Sequence, residues 1–248
     1  RGDGMNPAFA IARREFAAAF ASPIAGVFLV LFSAAAAALA FYPGALFERG
    51  QADLQPFFGV LPWLFLVLVP AVGMRLWAEE RRQGTMELLL TLPVTTAEAV
   101  IGKFLAGWAL LGLALLLTIP LWAAIAWLGA PDHGVVVASY AGAWLLAGAM
   151  LAVSGALSAC TRSQVVAFVL AVVVCFLVML AGYPLVQEAL RGWVPSVVLD
   201  AIAQLSFLTR FQGITRGVLA LGDLVFFLAT IGAWLWATVV VVDAKKAG

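Results

Sequence analysis

Glu79 and Glu80 form the carboxylate pair in this chain that comes nearest to a catalytic pattern. Two adjacent carboxylates can act as general acid and base, or they can bind a metal ion together with histidines. The chain has a single histidine, His133, which lies in a short connecting segment without a second ligand nearby. Gly102-Lys103 is not followed by serine or threonine and lacks the glycine spacing of a phosphate-binding loop. These residues therefore predict neither a metal centre nor a site of ATP hydrolysis.

The two carboxylates belong to the charged stretch Met74–Lys103, which separates the apolar runs Phe57–Leu76 and Ile101–Leu128. Its charged side chains come first, at Arg75, Glu79, Glu80, Arg81 and Arg82. Gly84 follows them, and glycine readily adopts the left-handed conformation that ends a helix. The pattern predicts a charged helix end followed by a tight turn.

A short helix is predicted after this turn, over Met86–Leu92, and it has far too few residues to cross a bilayer. Thr85 is a favourable N-cap for it, and Glu87 lies where the helix dipole favours an anion. Pro93 ends the helix, because the residue before a proline is pushed out of the helical region. Thr95–Glu98 then matches the S/T-x-x-E capping box that begins the next long helix.

The large apolar side chains of this short helix need a protein surface to cover them. They are Met86, Leu88, Leu89 and Leu92. A helix of this length is not stable alone, and exposed apolar groups are a liability without a partner. These side chains can be buried in a groove on a separate protein or against the ends of the chain's own spans. Both alternatives remain open, because leucines suit either burial equally.

The composition is that of an integral membrane protein. Hydrophobic residues make up 65% of the chain, charged residues 11%, and the mean hydropathy is +1.07. A soluble domain has about 25% charged residues. The net charge of +1 gives no indication of nucleic-acid binding. Cys160 and Cys175 are expected to be small core residues, and residues 1–4 to be a cloning remnant.

Six apolar runs are each long enough to span a bilayer. They are Ile24–Phe41, Phe57–Trp77, Val100–Leu128, Val135–Ser158, Val165–Val186 and Leu224–Val242. Without residues 1–4, lysine and arginine are divided nine to four between the two sets of connecting segments. Because cytoplasmic segments carry the excess of positive charge, both termini and the Met74–Lys103 stretch are predicted to be cytoplasmic.

An interfacial helix is predicted over residues 5–22. Asn6-Pro7 is an N-cap followed by proline at the first helical position. The aromatic residues of one helical face are Phe9, Phe16 and Phe20. Arg14 and Glu15 are expected to point elsewhere, and Ser22-Pro23 starts the first span. A longer first span is the alternative, although these charges would be costly in hydrocarbon.

Two spans carry small residues that allow close helix packing. In the fourth span they are Gly148, Ala152 and Ala156, and in the first they are Ala34 to Ala38. Packing within the chain and a dimer face both remain open. Pro70 and Pro120 are expected to bend their helices.

The segment before the last span is predicted to contain a short helix at about residues 196–206. Ser196, Asp200 and Gln204 recur every four residues and form a narrow polar stripe, and Ser196 suits an N-cap. A break is expected around Gly213 and Gly217. The helix either dips into the outer leaflet or lies on the membrane surface.

Three stretches resemble segments of the permeases of ABC-2 class transporters, in the same order along the chain. They are IARREFAAAFASPIAGVFLVLF near the start, AEERRQGTMELLLTLPV after the second span, and LSFLTRFQGITRGVLALGDLVFFL near the end. The middle stretch is most similar to the subfamily named after gliding-motility permeases. The resemblance covers nearly the whole chain, and it indicates a class of transporter without indicating a substrate.

This resemblance implies an all-α integral membrane protein with six transmembrane helices in one domain, residues 23–248. It also implies a coupling helix within residues 78–95, which docks into a separate ATPase, and outer re-entrant helices within residues 188–222. The implied ATPase contacts are Glu79, Glu80, Arg81, Arg82, Gly84, Thr85, Met86, Glu87, Leu88, Leu89, Leu92, Pro93 and Arg162. The implied outer gate residues are Ser196, Asp200, Gln204, Phe211 and Arg216.

The resemblance further implies an exporter in the bacterial cytoplasmic (inner) membrane. Its partners would be two copies of an ABC ATPase, which bind ATP and Mg²⁺, and a second permease copy or a paralogous permease. Membrane lipid surrounds such a protein, and an extracytoplasmic accessory protein is compatible with the class. No cofactor is expected on this chain.

Two other functions remain as alternatives. An ion-coupled carrier or channel would need no ATPase, but such proteins usually carry ionisable groups inside the membrane, and the middle thirds of these spans have none. An intramembrane protease is suggested by Glu79-Glu80, but Gly84 replaces the arginine of the EExxxR motif and no histidine-rich motif follows. Copurification of an ATPase would separate the first function from these two.

Overall fold

The computed structural model describes residues 6–42, 53–84, 94–191, 193, 195–218 and 220–246. The regular secondary structure in these ranges is all helical. The helices are α1 (Pro7–Ala21), α2 (Pro23–Phe41), α3 (Gln55–Gly73), α4 (Arg75–Gln83), α5 (Thr96–Leu116), α6 (Ile119–Leu128), α7 (His133–Cys160), α8 (Gln164–Leu180), α9 (Pro184–Leu190), α10 (Ser196–Gln204), α11 (Phe207–Thr215) and α12 (Leu221–Lys246).

Within these described ranges, five helical stretches are long and apolar enough to cross a membrane. They are α2, α3 with α4, α5 with α6, α7, and α12. The predicted fifth span, Val165–Val186, is wrong in its length, because α8 has 17 residues and ends at Leu180. Tyr183 is extended, at φ −76° and ψ 130°, as is usual before a proline, and Pro184 begins the separate helix α9.

Helix α7 lies at the centre of the bundle and packs against α3, α4, α5, α8, α11 and α12. Its small residues make this possible. A Cβ atom at Gly148 would lie 2.7 Å from Trp108 Nε1 and 3.1 Å from Ile231 Cδ1. The small-residue face of this span is therefore filled by the chain's own α5 and α12, so the interpretation as packing within the chain is the one the structure supports there.

A pair of tryptophans joins α5 to α7. The Trp108 and Trp144 rings stack with their centroids 4.1 Å apart. Trp108 Nε1 donates to the Trp144 carbonyl at 2.8 Å, and Trp144 Nε1 donates to the Trp108 carbonyl at 3.1 Å. Each indole N–H thus has a partner inside the protein, which matters because hydrocarbon offers none.

The third predicted span is interrupted between α5 and α6, as Pro120 predicted. A proline removes one backbone donor and clashes with the carbonyl four residues earlier. Thr118 Oγ1 donates to the Leu115 carbonyl at 2.7 Å, and Tyr140 Oη donates to the Thr118 carbonyl at 3.2 Å. These side-chain hydrogen bonds add to the backbone bonds that the same two carbonyls accept, and the Tyr140 bond ties the break to α7.

Helix α1 packs along the start of α5. The Asn6 side chain accepts a hydrogen bond from the Ala8 amide at 3.0 Å, which confirms the predicted N-cap. The buried residues of α1 are Ala8, Ile11 and Ala12. The contact with α5 is close, because a Cβ atom at Gly102 would lie 2.7 Å from the Ala8 carbonyl oxygen. The same face continues at Glu15, which points away from the exposed Phe9 and Phe20, as expected, and toward α5.

Candidate functional site

The ends of α4, α5, α7 and α12 meet at one end of the bundle, which we call the charged end. Thr96 Oγ1, at the start of α5, donates to Asp243 of α12 at 2.6 Å. Lys245 Nζ, at the end of α12, donates to the Cys160 carbonyl at 2.7 Å and to the Ala159 carbonyl at 3.1 Å. A lysine at the C-terminus of α7 satisfies exposed carbonyls and complements the helix dipole.

Ser158 of α7 closes the break between α3 and α4. The amides of Trp77 and Ala78 donate to Ser158 Oγ at 3.2 and 3.0 Å, and Ser158 Oγ donates to the Met74 carbonyl at 2.8 Å. Amides in the first turn of a helix have no partner within that helix, so another group must supply one. A single hydroxyl from a neighbouring span therefore caps α4.

The break also needs close approach of the two helices. A Cβ atom at Gly73 would overlap the Ser154 side chain one turn before Ser158. Glycine at this position lets α3 contact α7 directly, which brings the start of α4 within reach of the Ser158 hydroxyl.

Lys103 forms a buried ion-pair triad with carboxylates from two other helices. Its ammonium lies 2.9 Å from Glu80 Oε1 of α4 and 3.4 Å from Glu15 Oε2 of α1, and its side chain is only 4% exposed. It also lies 5.7 Å from the centre of the Trp77 ring. A charge is tolerated at such depth only when it is paired and hydrogen-bonded. The triad therefore fixes α1, α4 and α5 to one another.

The remaining charges of α4 face the outside of this cluster or bind helix ends. Arg81 Nη1 donates to the Ala159 carbonyl at 3.1 Å. Glu79 lies 2.9 Å from Arg75 Nε and 3.9 Å from Arg82 Nη2. The two pairs of Glu79 join residues three and four positions apart on one helix, and each stabilises the helix by about 0.3–0.5 kcal/mol.

Both ends of the predicted coupling segment are anchored at the charged end. Gly84 ends α4 in the left-handed conformation, with φ 71°, as predicted. The predicted capping box at the start of α5 is also confirmed: the Thr95 amide donates to Glu98 Oε2 at 2.7 Å, and the Glu98 amide donates to Thr95 Oγ1 at 3.2 Å. Residues 85–93, between these caps, lie outside the described residues.

At the other end of the bundle, α10 and α11 form the segment that was predicted to be the outer gate. The polar stripe of α10 is exposed, at Ser196, Asp200 and Gln204. The N-cap is Pro195 rather than Ser196, which is the first helical residue and makes no capping hydrogen bond. The helix ends at Gln204, two residues before the predicted boundary at 206.

Helix α11 packs against the end of α8 and against α7. Ser206 Oγ donates to the Met179 carbonyl at 3.0 Å, near the point where α8 ends. A Cβ atom at Gly182 would overlap Thr209, so the two segments touch closely. Phe211 is 1% exposed, and Gly217, with φ 85°, lies in the break after α11, close to the predicted position.

An ion pair holds α11 to the start of α12. Arg210 Nη1 lies 2.9 Å from Asp223 Oδ1, Arg210 Nε donates to the Gln204 carbonyl at 2.9 Å, and the guanidinium lies 5.3 Å from the centre of the Phe226 ring. Asp223 is 7% exposed, so Arg210 takes the place of much of the water around its carboxylate. Arg216 instead lines a small cavity of about 190 Å³ that Asp53 and Asp132 also line.

The model of the ABC-2 family transporter proteins matches residues 9–242 of the chain. The chain belongs to the ABC-2 transporter family. No curated protein matches it closely enough to count as a relative. The ABC-2 family consists of membrane transport subunits that usually pair with an ABC ATPase, so this chain is a multi-pass membrane permease and not itself the catalytic subunit.

The ATPase-contact residues predicted for this ABC-2 permease fall into two groups. Thr85, Met86, Glu87, Leu88, Leu89, Leu92 and Pro93 lie outside the described residues. Glu79, Glu80, Arg81, Arg82 and Gly84 lie on α4 or at its end, and Arg162 is exposed in the turn between α7 and α8. Glu80 and Arg81 bind other helices, α5 and α7, whereas Glu79 and Arg82 pair within α4.

Sequence reasoning missed the contribution of Glu15, Lys103 and Ser158 to this permease. For Glu15 a signal was available, because Ala8, Ile11 and Glu15 recur at three- and four-residue spacing on one helical face. Lys103 was counted only as a positive charge of the connecting segment. Ser158 bonds to groups about eighty positions away in sequence, at separations of 80, 81 and 84 residues, which no local pattern reveals.

Within the described residues, no group of three or more metal-ligating side chains occurs. His133 Nδ1 accepts a hydrogen bond from Trp122 Nε1 at 3.2 Å, at the start of α7. His133 is exposed, as expected, but it is the first residue of α7 rather than part of the connecting segment.

Proposed function

We propose that the chain is the permease subunit of an ATP-driven exporter of the gliding-motility permease subfamily. In the complete transporter it pairs with a second permease, identical or paralogous, and with two ABC ATPase subunits that bind ATP and Mg²⁺. Residues 86–92, within the segment 85–93, form the coupling helix that docks into the ATPase. The observation that carries this proposal is the anchoring of that segment at both ends, by the Gly84 cap and the Thr95 capping box.

Anchored ends make the segment suitable for transmitting movement. A displacement of residues 85–93 would move α4 directly, because α4 ends at the start of this segment. Helix α4 is bonded to α7 through Ser158 and Arg81, and to α1 and α5 through Lys103. Packed elements with fixed contacts move as bodies rather than deform continuously. ATP-driven closure of the ATPases would therefore tilt α3 with α4 relative to the other spans.

The docking energy comes from the apolar side chains of the coupling helix. Met86, Leu88, Leu89 and Leu92 would each contribute about 1.5–3 kcal/mol when buried in a groove of the ATPase. Charges at the rim, Glu79, Arg82 and Glu87, would set the register and the association rate. The Arg162 turn would supply a smaller second contact, and Phe211, Arg216 and the α10 stripe would close the outer side.

Six spans with both termini in the bacterial cytoplasm complete the proposed topology. Helix α8 is added to the five long stretches as the fifth span in chain order, since 17 residues are at the lower limit of a transmembrane helix and extend about 25 Å. The nine-to-four division of lysine and arginine supports this orientation. In this orientation the charged end faces the ATPases.

The proposal is tested by Leu89→Asp, with Leu205→Asp as the matched control. Leu205 is 61% exposed and lies after α10, at the other end of the bundle. Leu89→Asp is expected to insert normally, yet to lose copurification of the ATPase and the coupling of ATP hydrolysis to substrate. Leu205→Asp is expected to keep both. If Leu89→Asp retains full binding and turnover, or if it misfolds while the control folds, the docking role belongs elsewhere, with Arg162 the next candidate.

A further inference from the structure

A groove of about 680 Å³ runs along the side of the bundle, bordered by α1, α2, α3, α4 and α5. Its volume falls in the range of about 300–1,000 Å³ found for small-molecule sites. One part of its wall is apolar and includes Ile24, Val27, Leu31, Leu68 and Leu110. The other part belongs to the charged end of the bundle and includes Glu15, Arg75, Glu79, Glu80 and Lys103.

The apolar wall lies on the outward side of a span. Ile24, Val27 and Leu31 of α2 are 44%, 61% and 54% exposed, and α2 is one of the five stretches long and apolar enough to cross a membrane. In a bilayer this wall contacts lipid hydrocarbon. The groove is therefore filled from the membrane side, by a molecule with an apolar chain and a head that reaches the charged part.

The charged part presents both signs within one groove. Three carboxylates and two cations line it, so its lining carries one excess negative charge. The ion pair of Arg75 with Glu79 uses Nε. A guanidinium has five N–H donors, so its two terminal nitrogens can still donate to a phosphate. The arrangement suits a head with a phosphate and, a short distance away, an ammonium.

We propose that this groove binds one aminophospholipid of the adjoining leaflet. Its acyl chain lies along α2, its phosphate accepts hydrogen bonds from Arg75, and its ammonium lies beside Glu79 and Glu80. A lipid with an anionic head would meet the excess negative charge of the lining. A choline head has no N–H to donate to the carboxylates, so it would bind more weakly than a primary amine.

The chain offers a matched pair of variants for the apolar wall. Val27 lines the groove, whereas Val30, on the same helix and 71% exposed, does not. Val27→Trp fills the groove with an indole, and Val30→Trp adds the same indole to the lipid-facing surface. The probe is phosphatidylethanolamine, with phosphatidylcholine and phosphatidylglycerol of the same acyl chains for comparison. Each is mixed with the purified chain in detergent and its binding is measured by native mass spectrometry.

We expect one phosphatidylethanolamine per chain in the parent protein. Val27→Trp should weaken its binding by about tenfold or more, which is a readily measured change in the dissociation constant. Val30→Trp should leave it unchanged. Equal binding by both tryptophan variants would overturn the proposal. If Val27→Trp instead converts a dimer to a monomer and leaves lipid binding unchanged, a second copy of the chain occupies the groove and the proposal is wrong.

A second pair of variants tests the head-group contact, and it tests the proposal even if Val27→Trp fails to fold. Arg75 and Arg82 both pair with Glu79, but Arg82 is 63% exposed and does not border the groove. Arg75→Gln should weaken the binding of phosphatidylethanolamine by about tenfold, because it removes the donor to the phosphate, and Arg82→Gln should leave that binding unchanged. Equal binding of all three lipids by the parent protein would overturn the proposal. Because no ATPase is present, this result is independent of the Leu89→Asp experiment.

Discussion

Ser158→Ala should detach α4 from the centre of the bundle. In the structure one hydroxyl serves three backbone groups: it accepts from the Trp77 and Ala78 amides and donates to the Met74 carbonyl. Ser158, Trp77 and Ala78 are each at most 1% exposed, so water cannot replace the lost hydroxyl without structural change. The substitution leaves the helix propensity of α7 intact, because alanine is the best helix former.

The expected loss follows from the number of groups left unsatisfied. A buried polar group without a partner costs about 1–3 kcal/mol. If the Ala78 amide can instead donate to the Met74 carbonyl, one backbone group stays without a partner, and the free energy of unfolding falls by about 1–3 kcal/mol. If all three groups stay without a partner, it falls by about 3–9 kcal/mol. We expect about 3 kcal/mol, which corresponds to a fall in melting temperature of about 6–12 °C by the scaling for chains of this size.

Ser154→Ala is the control, because Ser154 is also fully buried on α7 but donates only to the Met150 carbonyl four residues earlier. That carbonyl keeps its helical partner, so the loss should be at most about 1 kcal/mol. Thermal unfolding in detergent, followed by the fluorescence of the nine tryptophans, measures both variants. Equal melting temperatures for the two variants would refute the capping role of Ser158.

Two further predictions concern the outer end and the topology. Arg210→Met should destabilise the protein by about 3 kcal/mol because it leaves Asp223 without its ion-pair partner, and adding Asp223→Asn should recover most of the loss; a double variant as unstable as the single one in thermal unfolding would contradict this. Cysteines placed at Arg82 and Arg191, in a chain without its native cysteines, should react with a membrane-impermeant reagent from the cytoplasm and from outside, respectively. Labelling of both from the same side would contradict the six-span topology.

Local rules predicted the ends of the helices well. The Asn6 cap, the Gly84 left-handed cap and the Thr95 capping box each depend on residues within four positions of one another, and the structure has all three. Apolar length predicted where most spans lie, but it overestimated the fifth. The run Val165–Val186 is apolar throughout, and only the proline at 184 marked the point where helix geometry could not continue.

Contacts between helices were not accessible in the same way. The pairing of Lys103 with Glu15 and Glu80 joins three helices, and opposite charges that far apart in sequence allow many pairings. The residue types along α1 indicate in part which side of this helix faces the protein. Phe9 and Phe20, predicted as the apolar face, are 58% and 44% exposed, whereas the small residues of α1 face the protein.

At each of three breaks between helices, a serine or threonine hydroxyl bonds to a backbone carbonyl, and the sequence predicts only some of these bonds. Hydrocarbon supplies no hydrogen bonds, so a helix can break at membrane depth only if the protein satisfies the freed backbone groups. At the break before α6, Thr118 bonds to a carbonyl of its own helix; at the break before α4 and at the end of α8, Ser158 and Ser206 arrive from another segment. A hydroxyl within an apolar run is therefore not enough to predict a break, because Ser154 bonds inside an unbroken helix and Ser158 serves a different helix from its own. Substituting Thr118 should therefore disturb its own helix, whereas substituting Ser158 or Ser206 should release a neighbouring one.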